Sequence, residues 1–395
     1  MRFGQIRDFP VNIGKEDYTC YSFQETPITR KTYVYMHSFS SFGAFPGTSR
    51  DEWEAQVRRE SKGQEADLSW RPAPHLHLSP YYRAEDTVSL PLAGLQAAQR
   101  ATTGWEYRAQ IRVSGEEEAR IQALTALREG ASALEFMLPA HAIQFTRLLH
   151  GLKPSDTPLY FSGTADYLEL ADELHRLFPY QWKGGFGSPP AEDFSGLEAG
   201  LLHKTERSPL FRTFRFRVET HPSPVERLGT FLLAFVRWLD RLTDAGLDAG
   251  TLVRKTEISL EIGTGFYQEI ATLRALRYLL RQIGRGYDIQ ETSFIHGYVA
   301  AAVPAAGSEG FDDLLRAGSE SVAGIIGGLD SLSVPDTGDA FSRRIGINIS
   351  NLLREESHLQ QTPDPAAGSW FLEQLTWEIT RQAWEFFLAK LATEH

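Results

Sequence analysis

From Gly104 to Glu356 the chain alternates short apolar runs with longer amphipathic ones, and this alternation restricts its fold more than any other feature. Strand-like runs of β-branched and aromatic residues, bounded by Gly and Pro, fall at Trp105–Val113, Ala133–Leu138, Leu159–Ser162, Gln181–Gly187, Phe211–Glu219, Val253–Ile262, Thr292–Ala300 and Leu329–Val334. Helix-like segments follow each of them, at Glu116–Arg128, Ala140–His150, Ala165–Phe178, Leu197–Lys204, Val225–Ala245, Phe266–Ile283, Phe311–Ile326 and Ser342–Glu356. The helical reading rests on period: Ile121, Leu124 and Leu127, like Leu232, Phe235, Val236 and Leu239, recur three or four apart. Eight strands, each followed by a helix, is the count of a (β/α)8 barrel, the fold expected here. A doubly wound open sheet is the alternative. The Gly-rich fourth strand is the weakest of the eight.

Around residues 104–360 the chain divides into an N-terminal arm (1–47), a helix with an extended passage (48–103) and a closing turn and amphipathic helix (361–395). The arm has no period of either kind. Ser49 ahead of Asp51 and Glu52 predicts a capped helix start, and Lys62-Gly63 its end. Pro72, Pro74 and Pro80 force the next stretch to be extended. Trp370, Leu375, Ile379, Trp384 and Phe387 mark a last helix packed on a neighbour.

Charge and cysteine content then remove whole function classes. The 395 residues carry a net charge of −11, against the basic surface that nucleic-acid binding needs. A single cysteine, Cys20, forms no internal disulfide and no Cys/His zinc spacing. No apolar stretch is long enough to span a bilayer and no apolar signal segment is visible, so no membrane or nucleic-acid partner and a cytoplasmic location are expected. His75-Leu-His77 lies among prolines ahead of the barrel, away from the strand ends where barrel metals sit, and no metal site is expected. The Gly184–Gly187, Gly284–Gly286 and Gly327–Gly328 clusters lack a phosphate-loop context and read as turn glycines. Arg274, Arg277, Arg281 and Arg285 form one helical stripe; a phosphate clamp and a solvated or subunit-facing row both fit it.

Five stretches carry a family resemblance. Gly265-Phe-Tyr-Gln-Glu-Ile-Ala-Thr-Leu-Arg-Ala-Leu-Arg277, Ala323-Gly-Ile-Ile-Gly-Gly-Leu-Asp-Ser-Leu-Ser-Val334, Arg344 to His358, and Asp364 to Trp384 resemble the adenosylcobalamin-dependent acyl-CoA mutases, specifically methylmalonyl-CoA mutase. Asp51-Glu-Trp53, Leu68-Ser-Trp70 and Pro80-Tyr-Tyr-Arg-Ala-Glu-Asp86 resemble the opening of the small subunit of its heterodimeric bacterial forms. The resemblance runs from Ser49 to Leu391, patchily between Gly151 and His221.

The resemblance implies a barrel threaded by an acyl-CoA ester and capped by a separate cobalamin domain marked by Asp-x-His-x-x-Gly. No such motif occurs in this sequence, so adenosylcobalamin is expected on a partner, the mutase large subunit, and not on this chain. In catalytic members a first-strand Tyr and a later Tyr-His pair handle the substrate. Aligned on this chain, the first Tyr falls at Gln110 and the pair at Thr220-His221, so His221 alone matches a catalytic position. An exposed loop histidine is the plain alternative for it. The chain alone is therefore expected to be inactive, with (R)-methylmalonyl-CoA to succinyl-CoA isomerisation a property of the assembled heterodimer. A competent barrel served by a cobalamin domain on a separate chain is the alternative. Taking Phe214, Phe216, Leu260, Ile262, Phe294 and Tyr298 as inward-facing, the barrel is expected to be filled with bulky apolar side chains. Tyr33, Tyr35, Phe39, Phe42 and Phe45 suit an arm that wraps a partner, and ordinary core packing fits them equally well.

Overall fold

A computed structural model describes residues 47–61, 69–73, 76–163, 166–190, 196–300, 311–335 and 340–393. Residues 1–46 of the arm, Lys62-Gly63 and His75 lie outside the described residues. Helix α1 (Arg50–Glu60) starts as expected: the Ser49 hydroxyl accepts from the Glu52 N–H, and the Glu52 carboxylate accepts from the Ser49 N–H at 2.7 Å. A short antiparallel pair, β1 (Trp70–Ala73) and β2 (Leu76–Leu78), and helix α2 (Leu92–Ala97) lead into the main sheet.

That sheet is wholly parallel and runs β7-β6-β5-β4-β3-β11-β10-β9-β8. Its members are β3 (Glu106–Arg112), β4 (Ala133–Leu138), β5 (Leu159–Gly163), β6 (Gly184–Phe186), β7 (Phe211–Arg212), β8 (Phe214–Val218), β9 (Thr256–Ile262), β10 (Phe294–Val299) and β11 (Ser331–Ser333). The two terminal strands are one chain segment broken at Thr213. Its first half pairs with β6, through Gly184↔Phe211, and its second with β9, through Phe214↔Thr256. At the break, the N–H groups of Thr213 and Phe214 both donate to the Lys255 carbonyl. Counted as one strand, residues 211–218 close the sheet into the eight-stranded barrel read from the sequence.

The helices follow the strands in the expected order: α3 (Glu116–Glu129), α4 (Phe145–Leu148), α5 (Tyr167–Leu177), α6 (Leu197–Thr205), α7 (Pro224–Asp244), α8 (Ala249–Arg254), α9 (Phe266–Gly286), α10 (Phe311–Ile326), α11 (Ala340–Glu355) and α12 (Trp370–Thr393). Helix α7 has Ser223 as its cap and Pro224 in its first turn, where a missing N–H costs nothing. Two boundaries differ from the sequence reading. Residues Val253 and Arg254 end the short helix α8, so β9 begins at Thr256, and the second barrel helix shrinks to four residues. In β6 the glycines answer to crowding: a side chain at Gly184, whose φ is +122°, would start 1.8 Å from the Leu159 carbonyl oxygen. Glycine is what lets β6 lie against β5 there.

Helix α12 lies across α7 and α9, burying Leu375, Ile379, Ala383 and Phe387 completely. Gly229 of α7 leaves the room that the Phe386 ring occupies.

Candidate functional site: a charged barrel lumen

Side chains alternate across a strand, so one register of each strand faces the helices and the other the lumen. Phe216 shows which is which: its ring meets Phe231, Phe235 and Trp238 of α7 edge-on, at centroid distances of 6.3, 5.2 and 5.0 Å. Phe214 meets Trp238 as well. These residues face outward, and so do Leu260 and Ile262, which share the outward register of Ile258 on β9. Of the six residues read as lumen-facing, only Phe294 and Tyr298 alternate in phase with His296, which does point inward. The expected bulky apolar filling is thus corrected: the inward register is Glu106, Arg108 and Gln110 on β3, Glu135 on β4, Tyr160 on β5, Arg215 on β8, Glu257 on β9 and His296 on β10.

Bonds between strands that are not neighbours establish this. Arg108 of β3 donates to both oxygens of Glu257 of β9, at 3.1 and 2.6 Å, across two intervening strands. Arg215 of β8 donates to Glu135 of β4 at 2.6 Å, again across the lumen. The square closes with Arg215 Nε 2.6 Å from Glu257 and Arg108 3.6 Å from Glu135. The Arg108 guanidinium lies 3.3 Å over the centre of the Tyr160 ring, and the Tyr160 hydroxyl donates to Glu106 at 2.9 Å. Ser333 donates to the Arg108 carbonyl, and His296 Nδ1 lies 3.2 Å from the Ser331 hydroxyl.

Two guanidiniums and two carboxylates make a neutral square, and its electrostatics are those of a closed one. Burial alone would raise the Glu135 carboxyl, but Arg215 and Arg108 outweigh it and hold the group at about 2. Glu257 is likewise held below the usual carboxylate range by Arg108 and Arg215. Burial opposes the Arg108 charge, yet Glu257, Tyr160 and Glu135 overcome it and its pKa rises. His296 goes the other way: burial and the Arg108 charge push its imidazole down to about 3, against the pull of Glu257 and Glu135. It is a neutral hydrogen-bonding group at pH 7. None of these residues has been brought to a pKa suited to proton transfer at neutral pH.

Gln110 sits on β3 one inward step beyond Arg108, toward the C-terminal mouth, and is partly buried. His221 lies beyond the end of β8, on the opposite side of the barrel. Its Nδ1 accepts from the Ser223 N–H at 3.1 Å, and its Nε2 lies 3.4 Å from the exposed Glu226. Beside it, a small hollow of about 330 Å³ is walled by the buried pair Arg227 and Glu269, 3.2 Å apart. Gln110 and His221 therefore share a mouth without sharing a pocket wall, since Gln110 does not line that hollow.

The arginine stripe divides. Arg274 is wholly buried and pairs with Asp364 and with Glu373 at 2.9 Å, tying α9 to the start of α12. Arg277 is buried against the Gly328 carbonyl and lies 2.9 Å from Asp330. Only Arg281 and Arg285 reach the outer surface of the N-terminal mouth. The missed lumen residues had one sequence signal: Arg108, Glu135, Arg215 and Glu257 are charges in mid-strand, where an ordinary parallel barrel places apolar residues.

Fold and lumen together define a class: a closed parallel (β/α)8 barrel whose core is a cross-strand ionic lattice. Residues 219–390 match the family model described as methylmalonyl-CoA mutase. The chain is 29% identical to the methylmalonyl-CoA mutase small subunit of Porphyromonas gingivalis, over 88% of this chain and 63% of that one. It is 26% identical to the small subunit of Streptomyces virginiae, over 87% and 63%, and 22% identical to that organism's large subunit, over 87% and 56%. The chain thus spans less than two thirds of the length of these relatives. Residues 219–390 thus match the methylmalonyl-CoA mutase model, and the relatives bear out the resemblance read from the sequence, small subunits among them.

Proposed function

We propose that this chain is a non-catalytic, structural subunit of a methylmalonyl-CoA mutase, paired with a large subunit that binds adenosylcobalamin and carries out the isomerisation. The observation that carries the reading is the Arg108–Glu257–Arg215–Glu135 square. A barrel that admits a CoA ester needs a free axis. This one spends its axis on four charged side chains joined across its width, with the Tyr160 ring packed on them. Opening a path means separating buried ion pairs, which costs several kcal/mol for each pair broken.

The cofactor assignment has its own support. Cobalamin at a protein-ligated site calls for an accessible imidazole on a loop, and the sequence has no Asp-x-His-x-x-Gly. His296 is sealed in the lumen, His221 accepts a bond within its own turn, and His175 meets the Trp182 ring edge-on at 4.5 Å. These residues do not fit a cobalamin lower ligand, and the exposed loop histidines His141 and His358 lack the motif's Asp and Gly, with Pro139 and Gln144, and Glu356 and Gln361, in those places. Among the described residues no group of three metal-ligating side chains occurs, and no helix is long and apolar enough to cross a membrane.

The test is co-expression of the tagged chain with the candidate large subunit from its own genome, followed by native mass spectrometry with and without adenosylcobalamin. A one-to-one complex that loses cobalamin when the large subunit is omitted is the expected result. Recovery of this chain alone, with no affinity for the large subunit, would overturn the reading.

A further inference from the structure

Exposed aromatic side chains gather in one place on this molecule. Six are exposed among the described residues, and four of them lie around the first turns of α9 and α12: Trp70 (37%), Tyr81 (44%), Tyr267 (53%) and Trp370 (45%). Ring contacts tie the group together. Phe371, next to Trp370, meets Trp70 at a centroid distance of 5.8 Å, Tyr82 at 6.1 Å and Tyr267 at 5.7 Å. Trp53 of α1 stacks on Tyr81 at 5.3 Å. Single exposed apolar residues are ordinary on a protein surface, but a contiguous aromatic plateau marks a contact surface.

Helix α1 stands on this plateau. None of its 11 residues is buried, and it is held by the Trp53–Tyr81 stack and by Arg50, which donates to Asp86 at 2.6 Å. A helix of that length is marginal in water without packing, so plateau and helix both call for cover. The sequence leading into α1 is suited to supply it. Ten of residues 1–46 are Phe or Tyr, and residues 32–46 hold Tyr33, Tyr35, Phe39, Phe42 and Phe45 with no Lys, Arg, Asp or Glu among them. Burying that segment strands no charge. Fifteen residues reach up to about 50 Å when extended. The segment ends at Pro46, just ahead of α1, so it meets the plateau at high effective concentration.

We propose that residues 32–46 pack across this plateau on their own barrel, their Tyr and Phe rings covering Trp70, Tyr81, Tyr267 and Trp370. Rings set edge to face or offset against those four gain contact beyond the area they bury, and the uncharged segment matches an uncharged surface. The inference stands apart from the structural-subunit reading, because it uses neither the lumen nor a partner chain.

The test is site-specific photo-crosslinking in the full chain, purified alone and in complex with the candidate large subunit. With Tyr267→p-benzoylphenylalanine, illumination should join position 267 to a peptide within residues 32–46 of the same chain, at monomer mass. The same reporter at Ile121, exposed on α3 on another side of the barrel, should not give that product. Y33S/Y35S/F39S/F42S/F45S should abolish the crosslink and shift tryptophan emission to the red, while circular dichroism confirms that the barrel still folds. A crosslink from position 267 to a second copy, or to the large subunit in place of residues 32–46, overturns the proposal. So does the absence of any crosslink to that segment, or a crosslink that the five serines leave intact.

Discussion

At the level of single side chains, the lumen is a balanced set in which removing one member is worse than removing two. Arg108→Met would leave Glu257 without its bidentate partner in a dry site, at a cost of about 3–5 kcal/mol. Replacing Arg108 and Glu257 together by Met should cost clearly less than the sum of the single changes, read as a coupling in urea unfolding. The same groups set a direction for pH. Glu135 titrates at about 2 when folded and near 4.5 when unfolded, so its stabilisation is full above about 4.5 and is lost as pH falls toward 2. His296 is depressed from 6.5 to about 3, so the unfolded chain binds the extra proton between those values and stability rises with pH there, on the order of a few kcal/mol in all. Denaturant titrations between pH 4 and 7 should therefore show a slope, and His296→Phe should flatten it. A profile as steep in the variant as in the parent would refute the assignment.

Along whole elements, the order of strands and helices was legible because strand and helix periods differ and every strand is buried on both sides. What period alone does not give is which face of a twice-buried strand points inward. Phe214-Arg-Phe-Arg-Val218 reads equally well in either phase, and a one-residue error exchanged the lumen for the helix layer. Burial of charge was the usable signal, since Arg215 in mid-strand needs a partner and Phe216 does not. The stripe on α9 teaches the same lesson, because spacing put four arginines in one row while the partners of Arg274 and Arg277 lay on α12 and in loops distant in sequence. Two predictions belong here. Arg274→Leu should destabilise the fold by about 3–5 kcal/mol, through the orphaned Glu373, whereas Arg285→Gln should change it by less than about 0.5 kcal/mol. Gly184→Ala should give little soluble protein, because its new methyl carbon would meet the Leu159 carbonyl in a left-handed backbone that glycine alone adopts easily.

For the whole molecule, the (β/α)8 barrel encloses a lumen closed by charge. The closure is central: one mouth carries Gln110 and His221 apart from each other, the other carries arginines, and the ionic square lies between. On the proposed reading, its functional consequence is that mutase chemistry belongs to the partner. The most direct measurement is therefore the kcat and KM of the co-purified complex carrying Gln110→Ala and His221→Ala on this chain. Both constants should stay within about twofold of the parent, since neither side chain touches substrate in this account. A fall in kcat of a hundredfold or more, in a complex whose stoichiometry and cobalamin content are unchanged, would contradict it and make this barrel a catalytic one.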